Sequence, residues 1–209
     1  MRYAAIMTAT HGALRPSELL GSPVLRERAL LMRDVTFFAS ADGTQPVPLC
    51  SPAAYATTAL PYRFEIALGA SKADQAGTNP PVPIAAPSAV RALWTWMHAH
   101  ARIVGTSDPR IFVERTLLRI VPLGVRPLCT HVEAALDLAG ISHPRITGKA
   151  FRRGGASALT AAGVPTSVIA AAMRHRSLSM QDRYSDSASK AARVIAASRA
   201  MEADSSQHQ

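Results

Sequence analysis

Three side chains near the C-terminal end of the chain constrain its fold most strongly: Arg152, His175 and Tyr184. An arginine neutralises the non-bridging oxygens of a phosphodiester, a histidine adds a hydrogen bond, and a phenol supplies a nucleophile. Such a set attacks a phosphate without a metal ion, provided that the fold brings the three groups to one place. The spacing therefore predicts a phosphate-transfer site assembled between residues 147 and 184.

Positive charge is concentrated in the same part of the chain. The 209 residues carry a formal net charge of +9. Residues 145–200 contain ten Lys or Arg side chains and only two acids, Asp182 and Asp186, so that this segment accounts for +8. A basic surface confined to one segment is typical of a nucleic-acid face. The alternative is a soluble protein of arginine-rich, alanine-rich composition without a polyanionic partner.

Cysteine usage and hydropathy exclude several classes of protein. The two cysteines, Cys50 and Cys129, form no CxxC pair, which argues against a disulfide scaffold or a zinc site and favours a reducing compartment. No apolar stretch reaches the roughly 18 residues of a membrane span, and the chain does not open on a signal peptide. We expect an intracellular protein, in the cytoplasm or nucleoid, or in the nucleus of a eukaryote, without a membrane partner.

The first half of the chain predicts a helix followed by a small sheet. Apolar residues at helical spacing run to Leu20, interrupted by Pro16. Residues 40–61 are rich in Pro, Ala, Ser and Thr and predict a long loop. A polar turn is expected at 69–79. Three segments have the β-branched and aromatic composition of strands and predict a three-stranded antiparallel sheet: 33–38, 63–68 and 81–84.

From Ser88 onward the pattern predicts helices. A short helix is expected around Tyr184, and residues 204–209 are expected to form a disordered tail. The remaining predicted helices are 88–101, 127–139, 147–162, 167–173 and 188–203. The sequence thus predicts one mostly helical α+β domain over residues 1–203.

The helix predicted from Thr147 carries the candidate anion-binding side chains. Lys149 and Arg152 are three residues apart, so that they share a helix face and reach one anion together. Gly154 and Gly155 each cost about 1 kcal/mol relative to alanine in a helix, which suggests close packing or close approach of another backbone. The alternative is a solvated basic face made of Arg145, Lys149, Arg152 and Arg153.

Four segments in order resemble the signature of tyrosine recombinases, the phage-integrase family: 148–157, 162–169, 173–180 and Arg183-Tyr184. In that family a His or Lys precedes the second catalytic arginine by three residues. A His or Trp follows after an intervening helix, and the nucleophilic tyrosine lies nine residues further on. Lys149, Arg152, His175 and Tyr184 match these positions one by one.

Two upstream segments extend the resemblance. Residues 11–20 are similar to the family pattern around the first catalytic arginine, which identifies Arg15 as that arginine and Glu18 as the structural acid beside it. The family also carries a lysine on the turn between two strands, and Lys72 stands in such a context at 71–75. The resemblance implies a mostly helical catalytic domain with a small sheet.

The resemblance also implies a mechanism that needs no cofactor. Tyr184 forms a 3′-phosphotyrosyl link and frees a 5′-hydroxyl, while Arg15 and Arg152 hold the non-bridging oxygens. Lys72 is the implied general acid for the leaving oxygen. His175 donates a hydrogen bond to the phosphate and Lys149 assists proton transfer or charge stabilisation. Four further arginines are expected to contact DNA: Arg145, Arg153, Arg174 and Arg176.

Double-stranded DNA is the implied partner, and the implied function is that of a site-specific recombinase or integrase of a mobile element. The segment 188–203 is expected to link subunits of a tetramer on DNA or, alternatively, to pack within its own domain. The family's helical core-binding domain is expected to be absent before Arg15. Arg174 stands where the family usually has glycine. The alternative function is a truncated or non-catalytic DNA-binding remnant of the same fold.

Overall fold

The computed structural model describes residues 1–22, 27–47, 59–69, 80–103, 109–115 and 119–174, together with Ser198. Helices and short antiparallel strands make up this part of the chain. Its α-helices are α1 (Arg2–His11), α2 (Pro16–Leu20), α3 (Pro87–Ile103), α4 (Val125–Leu138), α5 (Gly148–Ala161) and α6 (Thr166–Ala172).

A tight turn separates the two N-terminal helices from each other. Ala13 adopts a left-handed φ of 46° after α1, and its amide donates to the carbonyl of Thr10. Pro16 then occupies the first turn of α2, where its missing N–H has no cost and its fixed φ suits a helix. The chain thus reverses within a few residues and presents Arg15 at the start of α2.

The main sheet has four strands, not the three predicted. Its order is β4–β3–β5–β6, and every pairing is antiparallel; the strands are β3 (Val35–Phe38), β4 (Pro46–Val47), β5 (Arg63–Ile66) and β6 (Val82–Ile84). The three longer strands coincide with the three predicted segments. The additional edge strand β4 falls inside the predicted loop 40–61, because two residues of strand leave no periodicity to detect.

Two small hairpins were not predicted. β1 (Gly21–Ser22) pairs with β2 (Glu27–Ala29), and β7 (Val113–Arg115) pairs with β8 (Ile120–Pro122). The second hairpin shows that the prediction of helices throughout the region after Ser88 is wrong at 113–122. Strands of two or three residues take their conformation from their pairing partners rather than from local pattern.

Helix α3 and the sheet enclose the main core. Phe37 and Phe64 are paired across β3 and β5, and the Trp94 ring on α3 meets Phe37 edge-on at a centroid distance of 4.8 Å. All three side chains are almost fully buried. Burying such aromatic side chains is the largest favourable contribution of a core of this kind.

The fold class predicted from sequence, a mixed α+β domain, is confirmed by these elements. The predicted helices at 88–101, 127–139, 147–162 and 167–173 are all present within a few residues of their expected ends. The predicted turn beyond Gly69, the helix around Tyr184, the helix 188–203 and the tail 204–209 lie outside the described residues, apart from Ser198. Among the helices that the structure describes, none combines the length and the hydropathy needed to cross a bilayer.

Candidate active site: a buried arginine cluster

A buried carboxylate organises the candidate site. Glu18 lies in the first turn of α2, and its side chain is only 2% exposed. Its Oε2 accepts a hydrogen bond of 2.6 Å from the backbone N–H of Arg15, which caps the helix. Its Oε1 lies 3.4 Å from Nη1 of Arg15. The residue thus fixes both the start of α2 and the side chain of Arg15.

Helix α5 brings Arg152 to the same carboxylate. Nη1 of Arg152 lies 3.8 Å from Oε2 of Glu18, and Nη2 donates to the carbonyl of Met173 at the end of α6. The side chain of Arg152 is 9% exposed. The position of α5, and with it Arg152, depends on two glycines. Gly148 lies against Pro16 and Gly155 lies against Thr10, so that α5 packs directly on the turn that precedes Arg15.

A third guanidinium completes the arrangement. Arg174 follows α6 with a left-handed φ of 51°, and its side chain is 13% exposed. Its Nη2 donates to Oε2 of Glu18 at 2.9 Å, and its Nη1 donates to the carbonyl of Ala172 at 3.1 Å. We call Arg15, Arg152 and Arg174 around Glu18 the arginine cluster.

The arginine cluster carries more positive than negative charge. Three guanidinium groups share one carboxylate, which leaves two positive charges without an acidic partner in the cluster. Burial, followed by repulsion from Arg174 and Arg15, lowers the pKa of Arg152 to about 10. Burial also lowers the pKa of Arg174, although Glu18 opposes this effect. An arriving anion relieves the repulsion, so the cluster favours anion binding.

One donor of the cluster is uncommitted. Among the described residues, Nη1 of Arg152 is buried and has no hydrogen-bond partner. A buried donor in this state costs about 1–3 kcal/mol, and more when it is charged. Phosphate oxygens are strong acceptors for guanidinium groups. Arg15, whose side chain is 40% exposed, and Nη1 of Arg152 are therefore the candidate donors to a phosphate.

The other predicted site residues fall into two groups. Lys149, Arg145 and Arg153 are exposed, as expected for side chains on a solvated basic surface. Lys72, His175, Arg176 and Tyr184 lie outside the described residues. The alternative in which the whole basic face of α5 is solvated does not hold for Arg152, which is buried.

Arg174 has a role that sequence reasoning did not identify. Its guanidinium donates to Glu18, and DNA contact by Arg174, as by Arg145, Arg153 and Arg176, stays a prediction. The one sequence feature that marks Arg174 as unusual is that it stands where the family usually has glycine. A sequence cannot show that such a side chain folds back onto a residue 156 positions earlier.

Within the described residues, no group of metal-ligating side chains accompanies the arginine cluster. Across the described ranges, no three His, Cys, Asp or Glu side chains are close enough together to hold a metal ion. The polar chemistry of the described part of the site is that of guanidinium groups and a carboxylate.

Comparison with known protein families identifies the family of this chain independently of the structure. A sequence model described as the phage integrase family matches residues 75–191, which is more than half of the chain and includes Arg152, His175 and Tyr184. Searches of curated proteins and of solved structures found no significant match. The matched segment begins after Arg15, so the position of Arg15 beside Arg152 is a finding of the structure alone.

Proposed function

We propose that this chain, which belongs to the phage integrase family, breaks and rejoins DNA through a covalent tyrosine intermediate. Membership of the family places it among the tyrosine recombinases, a class of DNA-binding recombination enzymes. The oxygen of Tyr184 attacks a scissile phosphate, the bond to the 5′-oxygen breaks, and a 3′-phosphotyrosyl link forms. Attack by the freed 5′-hydroxyl of another strand reverses the reaction and releases Tyr184.

The convergence of Arg15 and Arg152 on Glu18 carries the proposal. These two arginines are separated by most of the chain, yet their side chains contact the same carboxylate. Two guanidinium groups next to one phosphate hold its non-bridging oxygens and stabilise the charge of the pentacoordinate transition state. The uncommitted Nη1 of Arg152 is the donor that such a phosphate requires.

The remaining roles complete the proton and charge balance. Lys72 protonates the leaving 5′-oxygen as general acid, and the phenolic proton of Tyr184 passes to solvent on attack. His175 donates a hydrogen bond to the phosphate, and Lys149 stabilises charge or assists proton transfer. Because the energy of the broken bond is retained in the phosphotyrosyl link, strand exchange needs neither a nucleotide cofactor nor a metal ion.

The proposed partner is double-stranded DNA, and the proposed setting is inside the cell, where a mobile element is integrated or excised. The exposed Arg145 and Arg153 contribute to the DNA-facing surface together with Arg176. Assembly of four copies on DNA through the segment 188–203 is part of the proposal.

Covalent trapping tests the proposed reaction. The protein is mixed with nicked duplexes tiled from the DNA that flanks its gene, because loss of a short strand at the nick prevents religation and accumulates the adduct. Wild type, Tyr184→Phe and Arg152→Ala are compared on a denaturing gel. We expect an adduct with wild type only.

The outcome separates the two candidate functions. Salt-sensitive DNA binding without an adduct in wild type contradicts the catalytic proposal and identifies a non-catalytic DNA-binding protein of this fold. An adduct that persists in Tyr184→Phe also contradicts the assignment, because a different nucleophile would then be responsible.

A further inference from the structure

The position of Arg174 is unusual for an arginine. Its φ of 51° lies in the left-handed region, which favours glycine because a Cβ crowds the following carbonyl oxygen. A strained position of this kind persists only when the surrounding structure fixes it, and such positions cluster at functional sites. Within the described residues, the guanidinium of Arg174 donates to Glu18 and to the carbonyl of Ala172, and its backbone N–H donates to the carbonyl of Ala171.

Arg174 and Arg152 compete for the same acceptor. Oε2 of Glu18 receives the backbone N–H of Arg15 at 2.6 Å and Nη2 of Arg174 at 2.9 Å. A carboxylate oxygen has about two lone-pair sites, so these two donors fill it. Nη1 of Arg152 stays at 3.8 Å from that oxygen, beyond hydrogen-bond distance.

We infer that Arg174 is a positioning residue: it fills Oε2 of Glu18, the oxygen 3.8 Å from Nη1 of Arg152, and thereby keeps that Nη1 free for a substrate phosphate. Without Arg174, Oε2 regains a free acceptor site and the adjacent Nη1 moves into it, so that Glu18 and the phosphate compete for one donor. This inference rests on the proposed function in its choice of phosphate as the ligand. It adds a third arginine that acts through Glu18 rather than on the substrate.

Inorganic phosphate is the probe that tests the inference without requiring DNA cleavage. Its affinity for the full chain is measured at low salt by titration of the arginine Nε–Hε signals in NMR spectra. We expect Arg174→Gly to bind phosphate about tenfold to a hundredfold more weakly, the range of one hydrogen bond between charged groups. Glycine suits a φ of 51°, so that the variant removes the side chain without opposing the backbone.

A double-mutant cycle separates positioning from a simple loss of charge. If Arg174 acts by occupying Glu18, then Arg174→Gly has little effect in a Glu18→Gln background, where no carboxylate captures Arg152. If Arg174 acts only through its charge, the effects of the two substitutions on binding free energy add. An additive cycle therefore overturns the inference.

Two single variants keep the test decisive if Glu18→Gln does not fold. Arg174→Lys retains a charged donor for Glu18 and is expected to recover part of the phosphate affinity; a lysine variant as weak as the glycine variant contradicts the inference. Arg91→Gln removes one charge from an exposed position on α3 and is expected to leave the affinity within about twofold, because solvent and salt screen it.

The outcomes for the inference and for the proposed function are distinguishable. Unchanged phosphate affinity in Arg174→Gly, or no phosphate binding by the wild type, overturns the inference regardless of any adduct. The expected phosphate results without a Tyr184 adduct support the positioning role and contradict the proposed reaction.

Discussion

Gly155 of α5 lies directly against the backbone of Thr10 at the end of α1. A Cβ placed on Gly155 would lie 2.2 Å from the carbonyl oxygen of Thr10 and 3.7 Å from Cα of Ala13. This contact sets the distance between α5, which carries Arg152, and the turn that leads to Arg15. The relative positions of Arg15 and Arg152, the two arginines proposed to bind phosphate, therefore depend on the contact between Gly155 and Thr10.

Replacing Gly155 by alanine is expected to separate these two elements. Since the neighbouring atom is backbone and cannot rotate away, α5 must shift, and we expect a loss of about 1–3 kcal/mol in the free energy of unfolding. Phosphate affinity is expected to fall as well, because Arg152 moves relative to Arg15. Denaturant unfolding and phosphate titration measure the two effects.

The adjacent Gly154 provides a matched control. Among the described residues, nothing lies within 4 Å of a Cβ built at Gly154. Gly154→Ala is expected to stabilise the protein by up to about 1 kcal/mol through helix propensity and to leave phosphate binding unchanged. Equal effects of the two substitutions would mean that contact with Thr10 does not position α5.

The lowered pKa of Arg152 predicts how stability depends on pH. Burial, then repulsion from Arg174 and Arg15, lower the pKa to about 10 in the folded chain, well below the ordinary value of an arginine side chain. The folded state then binds fewer protons than the unfolded state between these values, so that stability contributed by this group rises with pH there. Below about pH 10 the charged side chain is a cost to folding.

We therefore expect Arg152→Gln to retain or increase stability at neutral pH, by up to about 1 kcal/mol, while losing adduct formation. Phosphate binding by wild type is expected to weaken as pH rises through about 10, because the neutral side chain no longer pairs with an anion. The pH dependence of phosphate binding is measured in the Lys149→Gln variant, so that this lysine does not contribute to the change in affinity. A variant that is both unstable and inactive would show that Arg152 is primarily structural.

His143 is expected to titrate above its ordinary pKa of 6.5. Its Nδ1 lies 2.9 Å from the carbonyl oxygen of Pro144 and its Nε2 lies 3.1 Å from Oδ1 of Asp137; the carbonyl and, to a smaller extent, the carboxylate raise the pKa. Any stabilisation from these bonds is complete below pH 6.5 and is lost as pH rises through the folded pKa. NMR titration of the imidazole measures it.

Asp137→Asn tests this assignment, because it removes the carboxylate and leaves the Pro144 carbonyl in place. The pKa of His143 is expected to fall but to stay above 6.5. If the substitution has no effect on the titration, the contact between His143 and Asp137 does not persist in solution. The segment 139–147 connects α4 to the helix that carries Arg152, so its geometry bears on the site.

The sequence by itself determined the elements that have strong local patterns. The long helices at α3, α4 and α5 and the three longer strands follow from hydrophobic periodicity and β-branched composition over four or more residues. The order of the motifs that carry Lys149, Arg152, His175 and Tyr184 predicted the family that the comparison then showed. These features are local in sequence, so they can be predicted without the tertiary structure.

Tertiary structure decided everything that depends on contacts between distant segments. The sequence of α5 contains two adjacent glycines, but only the tertiary structure brings Gly155 against the Thr10 backbone and leaves open space beside Gly154. Arg152 and Arg153 are adjacent residues of the same type, yet Arg152 is buried beside Glu18 and Arg153 is exposed. Arg174 reaches Glu18 because α6 ends beside α2. Which charges are buried together is a property of packing, and local sequence does not encode it.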